Sequence, residues 1–209
     1  MEKIQPYSLP TEHQLPISAA NWRPERNRIA LLIHDMQHYF LNFFTEGTSP
    51  VAQIIDNTHR LLSTARHLQI PVFYSAQPGD MTPQQRGLLQ SIWGPGMRAS
   101  QDHKQIISQL TPMENELVLT KWRYSAFFNS PLLPTLRNLN RDQLIICGVY
   151  AHIGCLCTAQ EAYSNDIETF FIADSVADFS KEKHHLALEI AAETSSVVLS
   201  TQQFIGALV

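Results

Sequence analysis

The sequence predicts an α/β fold of three layers, in which a six-stranded, mostly parallel sheet of Rossmann-like type carries helices on both faces. Short apolar segments alternate along the chain with segments of helical period, a pattern typical of parallel strands joined by crossover helices. Of the 209 residues, 44% are hydrophobic and 16% are charged, which is typical of a globular protein. No repeat or linker-like segment interrupts the alternation, so we expect a single domain over residues 1–209.

Each predicted strand is a nearly continuous apolar run rich in Val, Ile, Leu and Phe, as expected when both faces of a sheet are covered. The six strands are predicted at 29–35, 72–76, 117–121, 144–150, 169–174 and 196–200. Helices are predicted between them at 51–68, 103–110, 131–139, 156–165 and 181–194. Ser180 is a suitable N-cap for the last of these helices.

One segment departs from the alternation: AQPGDMTPQQRGLLQSIWGPGMRAS, residues 76–100, contains seven Pro and Gly residues and only a short helical phrase. Long loops inside a compact domain are usually functional or mobile. This loop follows the end of a predicted strand, where open α/β sheets place their ligand crevice.

Three further features fall at predicted strand ends. The first strand ends in Asp35, the third ends in Lys121, and the fourth leads through a turn beginning at Gly148 into a helix. A helix N-terminus presents free N–H groups to an anion or oxyanion. From the residues alone, Asp35 equally fits a turn cap, and Lys121 fits a rim lysine whose stem lies along the sheet.

Composition excludes several classes of partner and compartment. The formal net charge is −4 without a block of Lys and Arg, so nucleic acid and anionic membranes are poor partners. The N-terminus lacks an apolar signal core, and no apolar run approaches the ~20 residues that span a bilayer, so we expect a cytoplasmic protein. Three clustered cysteines, Cys147, Cys155 and Cys157, do not form a disulfide framework or a zinc motif. No Gly-rich nucleotide fingerprint follows the first strand.

Several motifs resemble those of the isochorismatase-like (cysteine hydrolase) superfamily, and of its isochorismatase branch rather than its nicotinamidases. They run nearly end to end: ALLIHDMQHYF, YSAQP, WGPGM, TKWRYSAF, GVYAHIGC and FFIADSVADFS. The resemblance implies a catalytic set at Asp35, Lys121 and the turn after Gly148, and a homodimer. It implies no cofactor, and the nicotinamidase metal motif is missing after Asp35, so we expect no metal.

The resemblance also locates the nucleophile's place. Aligned on Gly148, the position of the superfamily's catalytic cysteine is held by Gly154, and Cys155 lies one residue later. One residue rotates a side chain by about 100° at a helix start, which would turn Cys155 away from the site. A cis peptide bond, which the superfamily has just before its cysteine, is expected between Tyr150 and Ala151. The glycine is expected to leave space for the substrate.

A site with an acid and a lysine but no nucleophile suits hydrolysis of a vinyl ether, which has no carbonyl to attack. The branch releases pyruvate from isochorismate or its 2-amino analogue, and Asp35 would protonate the ether's methylene carbon. Burial would favour the protonated acid, whereas Lys121 would favour the carboxylate. The dianionic substrate would bind to two polar residues and four aromatic ones: Gln77, Arg86, Trp93, Tyr124, Tyr150 and Phe40. Without the resemblance, Gln77 and Arg86 fit ordinary loop residues, and Trp93 and Phe40 fit core positions.

Two substrates and one non-enzymatic role remain open. Residues 76–100 and 162–174 are more similar to phenazine enzymes, which act on 2-amino-2-deoxyisochorismate, than to siderophore enzymes, which act on isochorismate. Many siderophore members carry a C-terminal carrier domain, for which 209 residues leave no room. Both features favour the phenazine substrate, and the alternative is an isochorismatase for a catechol siderophore. Loss of the superfamily cysteine also leaves open a catalytically idle scaffold.

Overall fold

The computed structural model describes residues 2–208 and contains a six-stranded, all-parallel sheet in the order β3-β2-β1-β4-β5-β6. The strands are β1 (Ile29–His34), β2 (Val72–Ala76), β3 (Leu117–Thr120), β4 (Gln143–Val149), β5 (Glu168–Ala177) and β6 (Ser196–Leu199). The chain builds the sheet outward from β1 in one direction and then outward from β4 in the other. The boundary between β1 and β4 is therefore the topological switch point, where α/β folds bind ligands.

Nine α-helices are formed within residues 2–208, and five of them follow the predicted helical segments or overlap them. They are α1 (His38–Leu41), α2 (Val51–His67), α3 (Pro83–Arg86), α4 (Leu89–Trp93), α5 (Gln101–Lys104), α6 (Leu132–Asn138), α7 (Leu156–Ser164), α8 (Lys181–Thr194) and α9 (Thr201–Leu208). Ser180 caps α8, since its side chain accepts a hydrogen bond from the backbone N–H of Lys183.

Two hydrophobic clusters cover the two faces of the sheet and confirm the three-layer prediction. On one face, α2 and α9 pack through residues such as Ile54, Leu62 and Phe204. On the other face, α6, α7 and α8 pack through residues such as Leu136 and Leu188. Because side chains alternate along a strand, Leu31 and Leu32 of β1 belong to different clusters. Strands β1 and β4 are buried along their whole length, as their continuous apolar sequence predicts. The prediction is wrong for β3, in which only Leu119 is buried, because this strand lies at the edge of the sheet.

The prediction of one helix over 103–110 is wrong. The segment forms α5, an extended residue at Gln105 and a separate 3₁₀ turn at Ser108–Leu110. The extended break allows Ile106 and Ile107 to be buried in the core, and Ile106 pairs with Gln37 in an isolated antiparallel bridge. None of the helices in the described part of the chain combines the length and apolar character needed to cross a bilayer.

Candidate active site

A single pocket at the carboxyl edge of the sheet contains all nine residues that the sequence analysis selected. Asp35 follows β1, Gln77 follows β2, Lys121 follows β3, and Tyr150 follows β4. The selected residues that line the pocket are Asp35, Phe40, Gln77, Arg86, Trp93, Lys121, Tyr124, Tyr150 and Gly154. The carboxyl ends of parallel strands share one edge of a sheet, so residues far apart in sequence meet there.

The floor of the pocket is a buried pair between Asp35 and Lys121. Each residue is only 3% exposed, and Lys121 Nζ donates to Asp35 Oδ2 over 2.9 Å. The second carboxylate oxygen of Asp35 accepts a hydrogen bond of 2.6 Å from Ser75 Oγ. The backbone N–H of Asp35 is also bound, to the carbonyl oxygen of Ser75 at 3.1 Å. The backbone of Asp35 lies in the left-handed region, with φ of 52°, a conformation that Asp tolerates better than most residues.

Arg86 brings a buried positive charge to the other side of the pocket. Its Nε donates to the carbonyl of Gly94 at 2.9 Å, and its Nη1 donates to Gln77 Oε1 at 3.2 Å. Neither acceptor carries a charge, and burial lowers the pKa of the Arg86 guanidinium. Gly96, with φ of +84°, lets the loop pass this close, since a Cβ there would lie 2.9 Å from the Cζ of Arg86. A buried guanidinium bound only to neutral oxygens is a strong site for a carboxylate ligand.

Aromatic side chains form the walls of the pocket and hold one another in place. Trp93 Nε1 donates to the hydroxyl of Tyr124 at 2.8 Å, which joins the 76–100 loop to the segment after β3. The hydroxyl of Tyr150 donates to the carbonyl of Phe40 at 2.8 Å. The ring of Tyr150 also lies 4.3 Å from that of Phe179, centroid to centroid. Burial raises the pKa of Tyr150 well above its usual range, so its phenol is neutral.

The turn after β4 contains the cis peptide bond, but one residue earlier than expected. The bond joins Val149 and Tyr150, so the expectation of a Tyr150–Ala151 bond is wrong. β4 ends at Val149, and Tyr150 already caps the π-helical turn Ala151–Cys155, so the bend falls before Tyr150 rather than after it. Asp178 fixes this turn by accepting hydrogen bonds from the backbone N–H of His152 at 2.6 Å and from its Nδ1 at 2.7 Å.

Gly154 and Cys155 answer the question of the nucleophile. Gly154 lines the pocket, whereas Cys155 is fully buried in the hydrophobic cluster formed with α6, α7 and α8. Burial raises the pKa of the Cys155 thiol well above its usual range. Cys155 therefore lies outside the site, as the one-residue offset predicts. The expected space beside Gly154 is not empty, however. A Cβ on Gly154 would overlap Cε1 of His34 and lie 3.0 Å from its Nε2, because the imidazole occupies that direction.

Five more residues line the pocket that the sequence analysis did not select: Tyr39, Leu89, Val149, Ile153 and Phe179. Phe179 lies two residues after the observed end of β5 at Ala177, but the predicted strand ended at 174, so the rule that selected Asp35 and Lys121 did not reach it. Tyr39 adjoins Phe40 in the short helix α1, and Ile153 lies in the turn that contains Gly154. Leu89, in α4, carried no signal beyond its place in the 76–100 loop.

The comparison with family models decides the classification of the chain. The isochorismatase domain model matches residues 29–203. The chain belongs to the isochorismatase family. This membership confirms the resemblance found in the sequence and makes the protein a hydrolase of the isochorismatase type.

Some relatives of this chain are named isochorismatases, and others are named phenazine biosynthesis proteins. It is 49% identical over 205 residues to an isochorismatase of Bacillus subtilis, covering 98% of this chain but 66% of that protein. It is 48% identical over 202 residues to the phenazine biosynthesis protein PhzD of Pseudomonas fluorescens, covering 97% of each chain. The chain thus spans about two thirds of one relative and nearly all of the other.

Solved structures support the isochorismatase-type fold. A cysteine hydrolase from Pseudomonas syringae pv. phaseolicola superposes with a TM-score of 0.81, covering 92% of this chain and 96% of that one. The sequence identity is 22%, so the likeness concerns the fold alone.

Proposed function

We propose that the protein hydrolyses the vinyl ether of 2-amino-2-deoxyisochorismate to trans-2,3-dihydro-3-hydroxyanthranilate and pyruvate, a step of phenazine biosynthesis. The observation that carries the proposal is the buried Asp35–Lys121 pair, which faces a pocket whose nucleophile position is a glycine. Such a site offers a proton donor and no group for covalent catalysis. A vinyl ether is a substrate that needs the first and not the second.

Asp35 would act as the general acid. It delivers a proton to the terminal methylene carbon of the ether, and the resulting oxocarbenium ion is captured by water, which returns a proton to Asp35. The hemiketal then breaks its bond to the ring oxygen, which leaves with a proton as the ring hydroxyl, and pyruvate is released. The sum is one water consumed and one C–O bond cleaved, with no change of oxidation state.

Lys121 would supply the proton that Asp35 needs. Transfer along the 2.9 Å hydrogen bond converts an ammonium and a carboxylate into an amine and a carboxylic acid without changing the total charge of the site. Ser75 donates to the other carboxylate oxygen and keeps the acid oriented.

The substrate's two carboxylates would be recognised by the polar side of the pocket. Arg86 is buried and its observed hydrogen bonds go to uncharged oxygens, so a carboxylate from the substrate would neutralise it. Trp93, Tyr124, Tyr150 and Phe40 would enclose the ring. A homodimer is part of the proposal, and its mass in solution, measured by light scattering, should be twice that of the chain.

The amino substrate is favoured by the PhzD relative, which this chain matches over 97% of both lengths. The second candidate is isochorismate, favoured by the isochorismatase of Bacillus subtilis at 49% identity. Discrimination between an amino group and a hydroxyl at one ring position can be modest. The deciding experiment compares kcat/KM for the two ethers, with pyruvate detected by coupling to lactate dehydrogenase.

Each result of that comparison has a distinct meaning. A higher kcat/KM for the amino substrate supports the phenazine step, and a higher value for isochorismate supports the siderophore step. Release of pyruvate from neither ether would contradict both and favour the idle scaffold. The variant D35N serves as the inactive control, and C155A serves as the active one.

A further inference from the structure

His34 is a buried histidine that the proposed mechanism does not use, although it lies beside the acid. Its side chain is fully buried, and its Nδ1 lies 3.0 Å from the carbonyl oxygen of Val149, to which it donates. The same nitrogen lies 3.8 Å from Asp35 Oδ2. Burial lowers the pKa of His34 to about 4, so the ring is neutral near pH 7. Its charged neighbours are Asp35 and Lys121.

The far edge of the His34 ring lies against Gly154. A Cβ added to Gly154 would overlap Cε1 of His34 and lie 3.0 Å from Nε2 and 3.1 Å from Nδ1. Real Cβ atoms do not approach other heavy atoms this closely, so any side chain at 154 requires the ring to move. The backbone at this glycine does not have a positive φ. The contact with His34, rather than backbone strain, is therefore what requires a glycine there.

The other ring nitrogen of His34, Nε2, indicates that placing a histidine here costs folding free energy. Within residues 2–208, Nε2 of His34 is buried and has no hydrogen-bond partner of good geometry, although the backbone of Tyr124 is close enough to the ring to raise its pKa against the larger effect of burial. A buried polar atom without a partner costs about 1–3 kcal/mol, and in a native protein it calls for an explanation. An aliphatic residue in the core would avoid that cost but would provide no donor for the Val149 carbonyl.

We propose that His34 excludes a nucleophile from this active site: its ring fills the direction that a side chain at 154 would take, while its Nδ1–H holds the turn at Val149. The 34/154 pair then determines the reaction class, since no nucleophilic side chain fits at 154 while a histidine occupies 34. His34 is a positioning residue, because it is fully buried and acts through Gly154 and Val149. The inference rests on the proposed function for its catalytic meaning, but the steric coupling stands independently.

The first test measures whether the effect of a side chain at 154 depends on residue 34. In the wild-type background, G154A should reduce kcat/KM for pyruvate release at least 100-fold and lower Tm. H34N retains an N–H donor for Val149 and removes the part of the ring nearest Gly154. In the H34N background, adding G154A should reduce kcat/KM less than threefold further. A residue with a merely structural role would give the same loss in both backgrounds.

A matched control separates this effect from a general intolerance of glycine substitution. Gly206 lies in α9 with no heavy atom within 4 Å of an added Cβ. G206A should leave Tm and kcat/KM at wild-type values in both backgrounds. If G154A behaves like G206A, or if its cost is equal with His and Asn at 34, the inference is overturned. A G154A protein that is insoluble alone but soluble together with H34N would support it.

The second test does not depend on the ether substrates. Iodoacetamide labelling, read by peptide mass spectrometry, should modify the introduced thiol at least tenfold faster in H34N/G154C than in G154C. Equal rates in the two proteins would overturn the inference. If the wild-type protein released no pyruvate from either ether, the proposed function would fail, while the labelling ratio and the Tm coupling would still decide the role of His34.

Discussion

The substitution D35N tests the proposed acid and has a structural cost that the sequence does not reveal. Asp35 and Lys121 are each 3% exposed and are joined by a hydrogen bond of 2.9 Å. An asparagine retains the shape of the side chain, tolerates the left-handed backbone at 35 and can still accept a hydrogen bond from Ser75. It does not neutralise Lys121, which is left as a buried charge without a counterion.

The size of that cost follows from the burial of the pair. Breaking a buried ion pair by removing one partner destabilises a protein by about 3–5 kcal/mol. For a chain of this length, we expect a drop in Tm of about 7–11 °C. Loss of a general acid removes a rate factor of about 10²–10⁴, so kcat for pyruvate release should fall at least 100-fold.

The double variant D35N/K121M separates stability from catalysis. Because it removes both charges together, it should recover most of the lost Tm while pyruvate release stays at the D35N level. The control D142N breaks an exposed pair with Arg28, whose atoms lie 2.8 Å apart, and should cost at most about 1 kcal/mol with unchanged turnover. Two results would refute the reasoning: a D35N rate within about threefold of wild type, which is far below the expected factor, or recovery of turnover in D35N/K121M.

Three other predictions concern substrate binding, the unused thiol and pH. R86M removes a charged donor worth about 1.5–3 kcal/mol, so KM for either ether should rise about 10- to 150-fold, and an unchanged KM would exclude Arg86 from carboxylate binding. C155A should leave kcat/KM within about threefold of wild type, because burial raises the pKa of that thiol and keeps it unreactive; loss of turnover in a folded C155A protein would require another mechanism. Burial lowers the pKa of His34 and of His184 to about 4 in the folded protein, so the unfolded chain binds more protons below its own pKa of about 6.5. The free energy of unfolding in urea should therefore fall by up to about 3 kcal/mol per histidine between pH 6.5 and 4, and H184Q should lessen the fall; a flat profile would contradict the burial argument.

The strands were predictable because each is a short apolar run, and in every strand except the edge strand β3 that run reflects burial on both faces. Most predicted strand ends lie within one residue of the observed ends, and the strand that was predicted too short, β5, continues through Ser175 to Ala177. Helix α9 was missed because its apolar signal is short. Only Thr201 and Phe204 are buried in it, and Phe204 contacts Phe170 of β5 with ring centroids 5.8 Å apart. Such a helix is held by tertiary packing rather than by its own pattern.

The site was predictable to the extent that topology brings strand ends together. Asp35, Lys121 and Gly154 each follow a strand and meet at the switch point, as parallel topology requires. The partners within the pocket were not predictable in the same way. That Trp93 bonds to Tyr124, and that Arg86 bonds to Gln77, depends on the path of the 76–100 loop. The spacing of residues in the sequence does not predict the path of this loop.

Gly154 shows the limit of the reasoning most clearly. The resemblance to the superfamily, aligned on Gly148, placed a glycine at the nucleophile's position, and the burial of Cys155 agrees with that placement. Which group occupies the space beside Gly154 depends on the direction that a Cβ at this residue would take, and the sequence does not give that direction. β1 and β4 are neighbours in parallel register, with His34 opposite Gly148. The ring of His34 therefore reaches forward into the turn that follows β4, and the space left by the glycine belongs to the protein's own histidine rather than to the substrate.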